Sequence, residues 1–434
     1  MDDPALLAVY AAPLVAIIGG YYWSRRRQAM RSESVLAAAS EAGLTEPPSL
    51  HPSIDPGACL GCGACAAACP EGDVIGLING KAVLIEPTQC VGHGACASSC
   101  PMGAISLVFG TEKRGVDIPI VGPDFQTNVP GIYIAGELGG MGLIRNAIEQ
   151  GRQAIESICA ALPPDNAAML DVVIIGSGPA GFAATLAAQS FGFRYVTLEQ
   201  ESLGGAVAHY PRGKLVMTGP AVLPIVGKVN LKDPSKEALL EFWRSVEQRT
   251  NIRIQYEERV TEVVRIEGGF EVRSERGSYR SRTVLLAIGR RGTPRKLGVP
   301  GEDLSKVVYR MIDPVQYAGR KVLVVGGGDS ALEAAAGIAE QPGTSVAISY
   351  RGDAFSRARR RNRERVERLA ADKRLQIILA STVREITPSH VTIEKSGVVK
   401  RGLNDDVIIC AGGILPTEFL KSIGVAVETK HGMA

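Results

Sequence analysis

Seven of the nine cysteines fall between Cys59 and Cys100, spaced as Cys59-x2-Cys62-x2-Cys65-x3-Cys69-Pro70 and then Cys90-x5-Cys96-x3-Cys100-Pro101. A cubane iron–sulfur cluster needs four converging thiolates, and in a doubled run of this kind the last Cys of each run completes the other run's cluster. The spacing therefore predicts one [4Fe–4S] site from Cys59, Cys62, Cys65 and Cys100. Cys69, Cys90 and Cys96 form the second, which is one thiolate short. His93, between Gly92 and Gly94, stands where the repeat puts the missing Cys. Two readings stay open: the imidazole binds the fourth iron, or the second cluster is [3Fe–4S]. A disulfide or zinc framework is the alternative for the whole set.

Over about residues 51–110 this pattern resembles the bacterial two-cluster ferredoxins. The resemblance implies a small α+β domain that moves single electrons. Thiols kept free for clusters also suit a reducing compartment rather than one that forms disulfides.

The N-terminus predicts a membrane anchor. Residues 4–23 (PALLAVYAAPLVAIIGGYYW) carry no charge, and 20 residues of helix reach about 30 Å, the thickness of a bilayer core. Asp2 and Asp3 precede the run, while Arg25, Arg26, Arg27 and Arg31 follow it, an order opposite to a cleaved signal peptide. The positive-inside rule then places the rest of the chain in the cytoplasm, single-pass on the inner membrane, with Tyr21, Tyr22 and Trp23 at the interface. An amphipathic or buried core helix is the alternative. A net charge of +3 offers no basis for a nucleic-acid role.

Two dinucleotide units are legible downstream. The apolar run DVVII runs into Gly176-Ser-Gly178-Pro-Ala-Gly181 and a helical stretch, and a second strand ends at Glu199. Gly176 permits the turn, Gly178 admits a pyrophosphate, Gly181 lets helix and strand pack, and Glu199 accepts from a ribose diol. The second unit, VLVV followed by Gly326-Gly-Gly328-Asp-Ser-Ala331, leads to a strand ending in Arg351. A cation there suits the 2′-phosphate of NADPH where an acid would suit NADH, with Arg357 assisting. Arg351 as an ordinary surface charge is the alternative. The arginines of 357–368 read as a solvated helix face before they read as a docking patch.

The segments IIGSGPAG, LLAIG, VVGGGDSALEAA, VIICAGG and TNVPGIYIAGELGG carry a further resemblance. Residues 114–434 resemble the flavoprotein reductases of the low-molecular-weight thioredoxin reductase and thioredoxin-reductase-like ferredoxin–NADP reductase type. The resemblance implies FAD on the first unit, with Gly136, Glu137, Gly205 and Gly289 among its contacts, and NADPH or NADH on the second, with Gly326, Gly328 and Ser330. It also leaves a homodimer open. Glu137 stands where the family usually has Asp. Thr127–Gly140 matches the family's C-terminal segment yet precedes the first glycine motif, so the FAD domain reads as circularly permuted. The family's redox Cys pair has no counterpart in 307–319, and Cys159 and Cys410 are isolated.

The resulting expectation is an α/β chain: anchor 1–24, linker 25–50, ferredoxin domain 51–110, FAD domain 111–293 completed by 406–434, and NAD(P)H domain 294–405. Hydride from the nicotinamide would reach the flavin and leave as single electrons for the clusters and a redox partner protein, with no side chain needed as acid or base. The alternatives are a non-catalytic redox sensor or scaffold and a low-molecular-weight disulfide reductase.

Overall fold

The computed structural model describes residues 4–47, 50–112, 115–140, 142–162, 168–216, 219–230, 234–290, 292 and 294–432, with side chains from Ala12 onward. It divides into two compact units, Met1–Gly115 with Ala354–Arg360 and His431–Ala434, and Val116–Asp353 with Arg361–Lys430.

The first unit begins with helix α1 (Pro4–Glu41), followed by β1 (His51–Ile54), α2 (Ala64–Ala68), the hairpin β2 (Ile75–Ile78) and β3 (Lys81–Leu84), α3 (Ala95–Ser98) and β4 (Ile105–Val108). β1 pairs antiparallel with β4, and β2 with β3. Two such short ladders bury little side-chain volume, and the cysteines themselves are part of the core: Cys59, Cys65, Cys90 and Cys96 pack with Val74, Ile75, Leu77 and Ile105.

The expected linker is corrected over residues 25–41, which continue α1 without a break. The reason is packing. Ser32 and Ala39 are buried, and a Cβ on Gly76 of β2 would lie 2.5 Å from the Ser32 hydroxyl, so the glycine admits the helix against the strand. Arg31 meets Asp73 at 2.5 Å, and Arg25 donates to the Gly61 carbonyl at 3.1 Å. Among the described residues no helix is long and apolar enough to cross a membrane. The side chains of the expected span through Ala11 lie outside them.

The second unit contains two parallel-sheet layers of the Rossmann type. In chain order the first layer comprises β5 (Val116–Pro119), β6 (Ile132–Ile134), α4 (Ile144–Ala161), β7 (Leu170–Ile175), α5 (Pro179–Ser190), β8 (Tyr195–Leu198), the small hairpin β9 (Ala221–Leu223) and β10 (Gly227–Val229), α6 (Lys236–Thr250), β11 (Ile254–Gln255), β12 (Val260–Ile266), β13 (Gly269–Ser274) and β14 (Ser278–Leu286). The sheet order is β11-β8-β7-β14-β13-β12, with β6 also on β14. β7, β8 and the inner half of β14 are buried near-continuous apolar runs, as strands covered on both faces must be.

β6 pairs in parallel with β14, Ile132 to Ile134 opposite Val284 to Leu286. A strand that precedes the first glycine motif in the chain thus lies in that motif's sheet. Helix α4 packs on α5, close enough that a Cβ on Gly151 would lie 2.0 Å from the Ala180 carbonyl oxygen.

The second layer comprises β15 (Val307–Val308), β16 (Lys321–Val325), α7 (Asp329–Ala339), β17 (Ser345–Ser349), α8 (Arg360–Ala371), β18 (Leu375–Ile378), the meander β19 (Ser381–Ile386), β20 (His390–Lys395) and β21 (Val398–Leu403), and β22 (Asp406–Ile409). Its parallel order is β15-β22-β16-β17-β18. The chain closes with β23 (Val427–Lys430), antiparallel to β5.

Candidate functional site

The two predicted ligand sets surround two separate cavities. Cys59, Cys62, Cys65 and Cys100 line one, with Leu60, Met102 and Ile105. Cys69, Cys90, His93 and Cys96 line the other, with Val74, Ile75 and Leu107. The crossing follows from the fold: β1–β4 pairing brings the end of the second run to the start of the first. Among the described residues no three His, Cys, Asp or Glu side chains gather as a single metal ion requires. Four donors spread around an apolar-walled cavity fit a polynuclear cluster, whereas ligands at ~2.3 Å from one zinc would crowd together.

Backbone amides reach the cavity thiols. The amides of Ala82 and Gly61 both donate to Cys59 Sγ at 3.4 Å, and Ala104 N–H donates to Cys100 Sγ at 3.3 Å. The Ala82 amide, against the opposing effect of burial and with help from Gly61 and Lys81, holds the Cys59 thiol below its ordinary value. Burial raises Cys65 on the same cavity and, around the second, pushes Cys90 up to about 11 and raises Cys69 and Cys96. A bound cation holds such thiols as thiolates. His93 Nε2 lies 3.3 Å from Glu71 Oε1.

In the second unit, Gly176 has φ +100° and a Cβ there would lie 2.6 Å from the Ala287 carbonyl oxygen; one on Gly181 would lie 1.8 Å from the Gly176 carbonyl oxygen. Gly178 caps α5 at its N-terminus, the end that attracts anions. Gly205 approaches it so closely that a Cβ on Gly205 would sit 3.0 Å from Gly178 Cα. Glu199 is buried at the end of β8 and accepts from the Ser177 amide at 2.6 Å, the Ser177 hydroxyl at 3.1 Å and the Glu201 amide at 3.1 Å. A backbone cradle that no side chain can fill, with a carboxylate fixed at its lip, fits the pyrophosphate and ribose of a dinucleotide.

Gly136 (φ +83°) ends β6, and its amide donates to Gln150 Oε1 of α4 at 2.9 Å. A Cβ on it would lie 2.9 Å from Ala180 Cβ, so this turn adjoins α5. Glu137 follows. Arg290, which donates to the Asp117 carbonyl at 3.3 Å, is held below its ordinary value by burial, with the charges of Glu137 and Asp117 opposing. Gly289, with φ +64°, follows the strand end of β14. In the second layer, Gly326 has φ +146° and a Cβ on it would meet the Cys410 carbonyl oxygen at 2.4 Å. Gly328 caps α7, Ser330 is exposed in its first turn, and Arg351 is exposed just after β17.

A model of the pyridine nucleotide-disulphide oxidoreductase family matches residues 173–433, and one of the 4Fe-4S dicluster domain matches residues 51–101. The chain belongs to the pyridine nucleotide-disulphide oxidoreductase family. It is 30% identical over 272 residues to the ferredoxin–NADP reductase of Ignicoccus hospitalis, covering 61% of this chain and 84% of that one. It is 26% identical over 267 residues to the bacilliredoxin reductase Bdr of Bacillus subtilis, covering 60% and 82%. Among solved structures it is similar to the bacillithiol disulfide reductase Bdr of Staphylococcus aureus, with TM-score 0.53, 25% identity, and 59% and 81% of the two chains covered. The chain is a flavoprotein oxidoreductase similar to ferredoxin–NADP reductases. The family match begins at residue 173, so β6 joins its first sheet, and α4 packs on α5, from outside the matched segment.

Some predicted residues of this oxidoreductase are not described together. Arg351 belongs to the second unit, whereas Arg357 falls in the first, its Nε 3.9 Å from Glu46. His209 meets Glu201 at 2.7 Å through Nε2 and Arg310 at 2.7 Å through Nδ1. Cys410 is a strand-end thiol that desolvation pushes up to about 12, unsuited to exchange chemistry. Sequence reasoning missed Gln150, Arg290, Ser177 and Glu71. Ser177 carried a local signal, a hydroxyl inside the glycine turn, and Glu71 one only by comparison with Met102 in the other half of the repeat.

Proposed function

We propose that the chain carries electrons between NADPH and one-electron carriers of the ferredoxin type, with FAD on the first glycine cradle and two clusters in the Cys59–Cys100 segment. The observation that carries this reading is the presence in one chain of two dinucleotide cradles and two four-donor cavities. When bound, FAD supplies the exchange between electron pairs and single electrons, and iron–sulfur clusters take electrons one at a time.

The chain's own groups bind, orient and tune. Gly176, Gly178, Gly181 and Gly205 leave room for phosphates, the α5 N-terminus offsets their charge, and Glu199 receives the ribose hydroxyls. Gly136, Glu137 and Gly289 close the cradle from the permuted side. Gly326, Gly328 and Ser330 receive the pyrophosphate of NADPH, and Arg351 its 2′-phosphate. Cys59, Cys62, Cys65 and Cys100 hold the first cluster, and Cys69, Cys90, Cys96 and His93 the second. The ferredoxin–NADP reductase likeness supports a ferredoxin as partner.

We also propose attachment to the cytoplasmic membrane through residues 4–23. Supporting this are the charge order, the exposure of Tyr21, Tyr22 and Trp23, and the stacking of Arg25 over Tyr21 and Arg27 over Trp23. Full-length chain in the membrane fraction, and a 1–23 deletion in the soluble fraction, is the expected outcome; equal partition of both overturns it.

A second reading, reduction of a low-molecular-weight disulfide, draws support from the two Bdr likenesses. Anaerobic NADPH oxidation with ferredoxin or with bacillithiol disulfide as acceptor separates the two. The first reading expects turnover with ferredoxin that is lost in Cys62→Ser. Disulfide turnover indifferent to that substitution would favour the second reading.

A further inference from the structure

The two halves of the iron–sulfur segment are related residue for residue. Cys59-Leu-Gly61-Cys62-Gly63-Ala-Cys65 corresponds to Cys90-Val-Gly92-His93-Gly94-Ala-Cys96, and Cys69-Pro-Glu71-Gly72 to Cys100-Pro-Met102-Gly103. The backbone repeats as well. Gly61 and Gly63 have φ +64° and +84°, Gly92 and Gly94 +78° and +78°, and Gly72 and Gly103 +79° and +62°. Such positive φ values favour glycine, so both turns present their central residue from the same strained loop. His93 therefore occupies the backbone position from which Cys62 faces the first cavity, and it lines the second.

The halves differ at a second, symmetry-related position. Met102 lines the first cavity beside Cys62. Its counterpart Glu71 lies beside His93, with Oε1 3.3 Å from Nε2, and both side chains are largely withdrawn from solvent at 24% and 17% exposure. Where the ligand position changes from thiol to imidazole, its neighbour changes from thioether to carboxylate. A ligating histidine almost always donates its second ring N–H to a carboxylate, carbonyl or water, which fixes its tautomer and raises its basicity.

We propose that His93 binds the fourth iron of the second cluster through Nδ1, and that Glu71 is its positioning residue, accepting from Nε2–H. The inference rests on the two-cluster reading of this segment and assigns that cluster four irons. Glu71 acts through the imidazole alone, so it becomes dispensable if the ligand is a thiolate.

The test uses the full chain, anaerobically reconstituted, read by iron content, Mössbauer and EPR spectra, and ¹⁵N-histidine hyperfine coupling. Expected are about eight irons per chain and a ¹⁵N coupling to the second cluster that disappears in His93→Ala. Glu71→Met, which copies the first half of the repeat, should lose about one iron and gain the EPR signal of an oxidised three-iron cluster. Glu71→Gln, which keeps an acceptor, should lose less. Adding His93→Cys to Glu71→Met should restore the iron. A three-iron second cluster in the unaltered chain, a coupling that survives His93→Ala, or a Glu71→Met/His93→Cys chain that still lacks the iron would overturn the assignment. The first cluster's spectrum, unchanged in every variant, reports separately whether the two-cluster reading itself holds.

Discussion

The glycine turn at 176–181 and the one at 326–331 use one backbone device at two depths. In the first, the helix comes so near the strand that a Cβ on Gly181 would lie 1.8 Å from the Gly176 carbonyl oxygen, and the strand-end acid Glu199 is buried and anchored on Ser177. In the second, Ala331 takes the third position, its Cβ 3.1 Å from where one on Gly326 would be, and the strand-end residue is the exposed Arg351. On the proposed assignment, the difference separates a cofactor held for the life of the protein from one that must enter and leave. A deep turn closed by a buried carboxylate would suit a resident FAD. A shallower turn with a solvated cation would suit an exchanging nucleotide with an extra phosphate.

The largest effect that would break this comparison is Gly181→Val. With no space for the side chain, helix α5 must move; overpacking of this kind costs about 1–3 kcal/mol or more, and bound flavin should fall below about a tenth of the normal stoichiometry, corresponding to a loss of more than about 1.4 kcal/mol in occupancy. Absorbance per chain and a thermal melt measure both, and full flavin content in this variant would contradict the deep-turn account.

Gly326→Val should leave flavin content unchanged while raising the NADPH KM about tenfold or more, for the same steric cost applied to the second turn. Loss of flavin here would show that the two turns do not act independently. Glu199→Gln removes the charge but keeps one acceptor. Weakened FAD binding by about tenfold is expected, at the lower end for a hydrogen bond to a charged group, measured by flavin release under dilution. Arg351→Glu should shift the ratio of kcat/KM for NADPH over NADH downward about tenfold or more, with FAD untouched. An unchanged ratio would return Arg351 to a surface charge.

The smallest effect concerns Cys410 beneath the second turn. Its thiol is pushed up to about 12 by desolvation, so it stays protonated throughout the neutral range and up to pH 10. It should resist alkylation there while the exposed Cys159 reacts. Mass spectrometry after timed iodoacetamide treatment compares the two sites.

What was legible in the sequence was what local chemistry dictates. The crossing of Cys69 and Cys100 between cavities was legible because the doubled run is a known cluster pattern, and the β1–β4 pairing is what brings the distant cysteine back. The glycine turns were legible because each demands a residue without a Cβ. Strand β6 was legible through its likeness to a family segment, although its place in the sheet depends on the pairing with β14. Long-range partners were not legible. Nothing local marks Gln150 as the acceptor for Gly136, or Arg290 as the donor to the Asp117 carbonyl, since each pairing arises only when the sheet forms. The continuation of α1 to Glu41 was missed for the same reason: an Ala-, Ser- and Glu-rich stretch reads as linker until Gly76 offers its backbone to Ser32. Glu71 carried a signal in its repeat partner Met102, visible only once the two halves are overlaid.

Transfer from nucleotide to cluster is read by anaerobic mixing with NADPH, followed by stopped-flow absorbance and freeze-quench EPR. Bleaching of the flavin should be followed by reduction of at least the first cluster within the same chain, at a rate independent of protein concentration. A flavin that bleaches while both clusters stay oxidised, in protein whose clusters dithionite readily reduces, would contradict it.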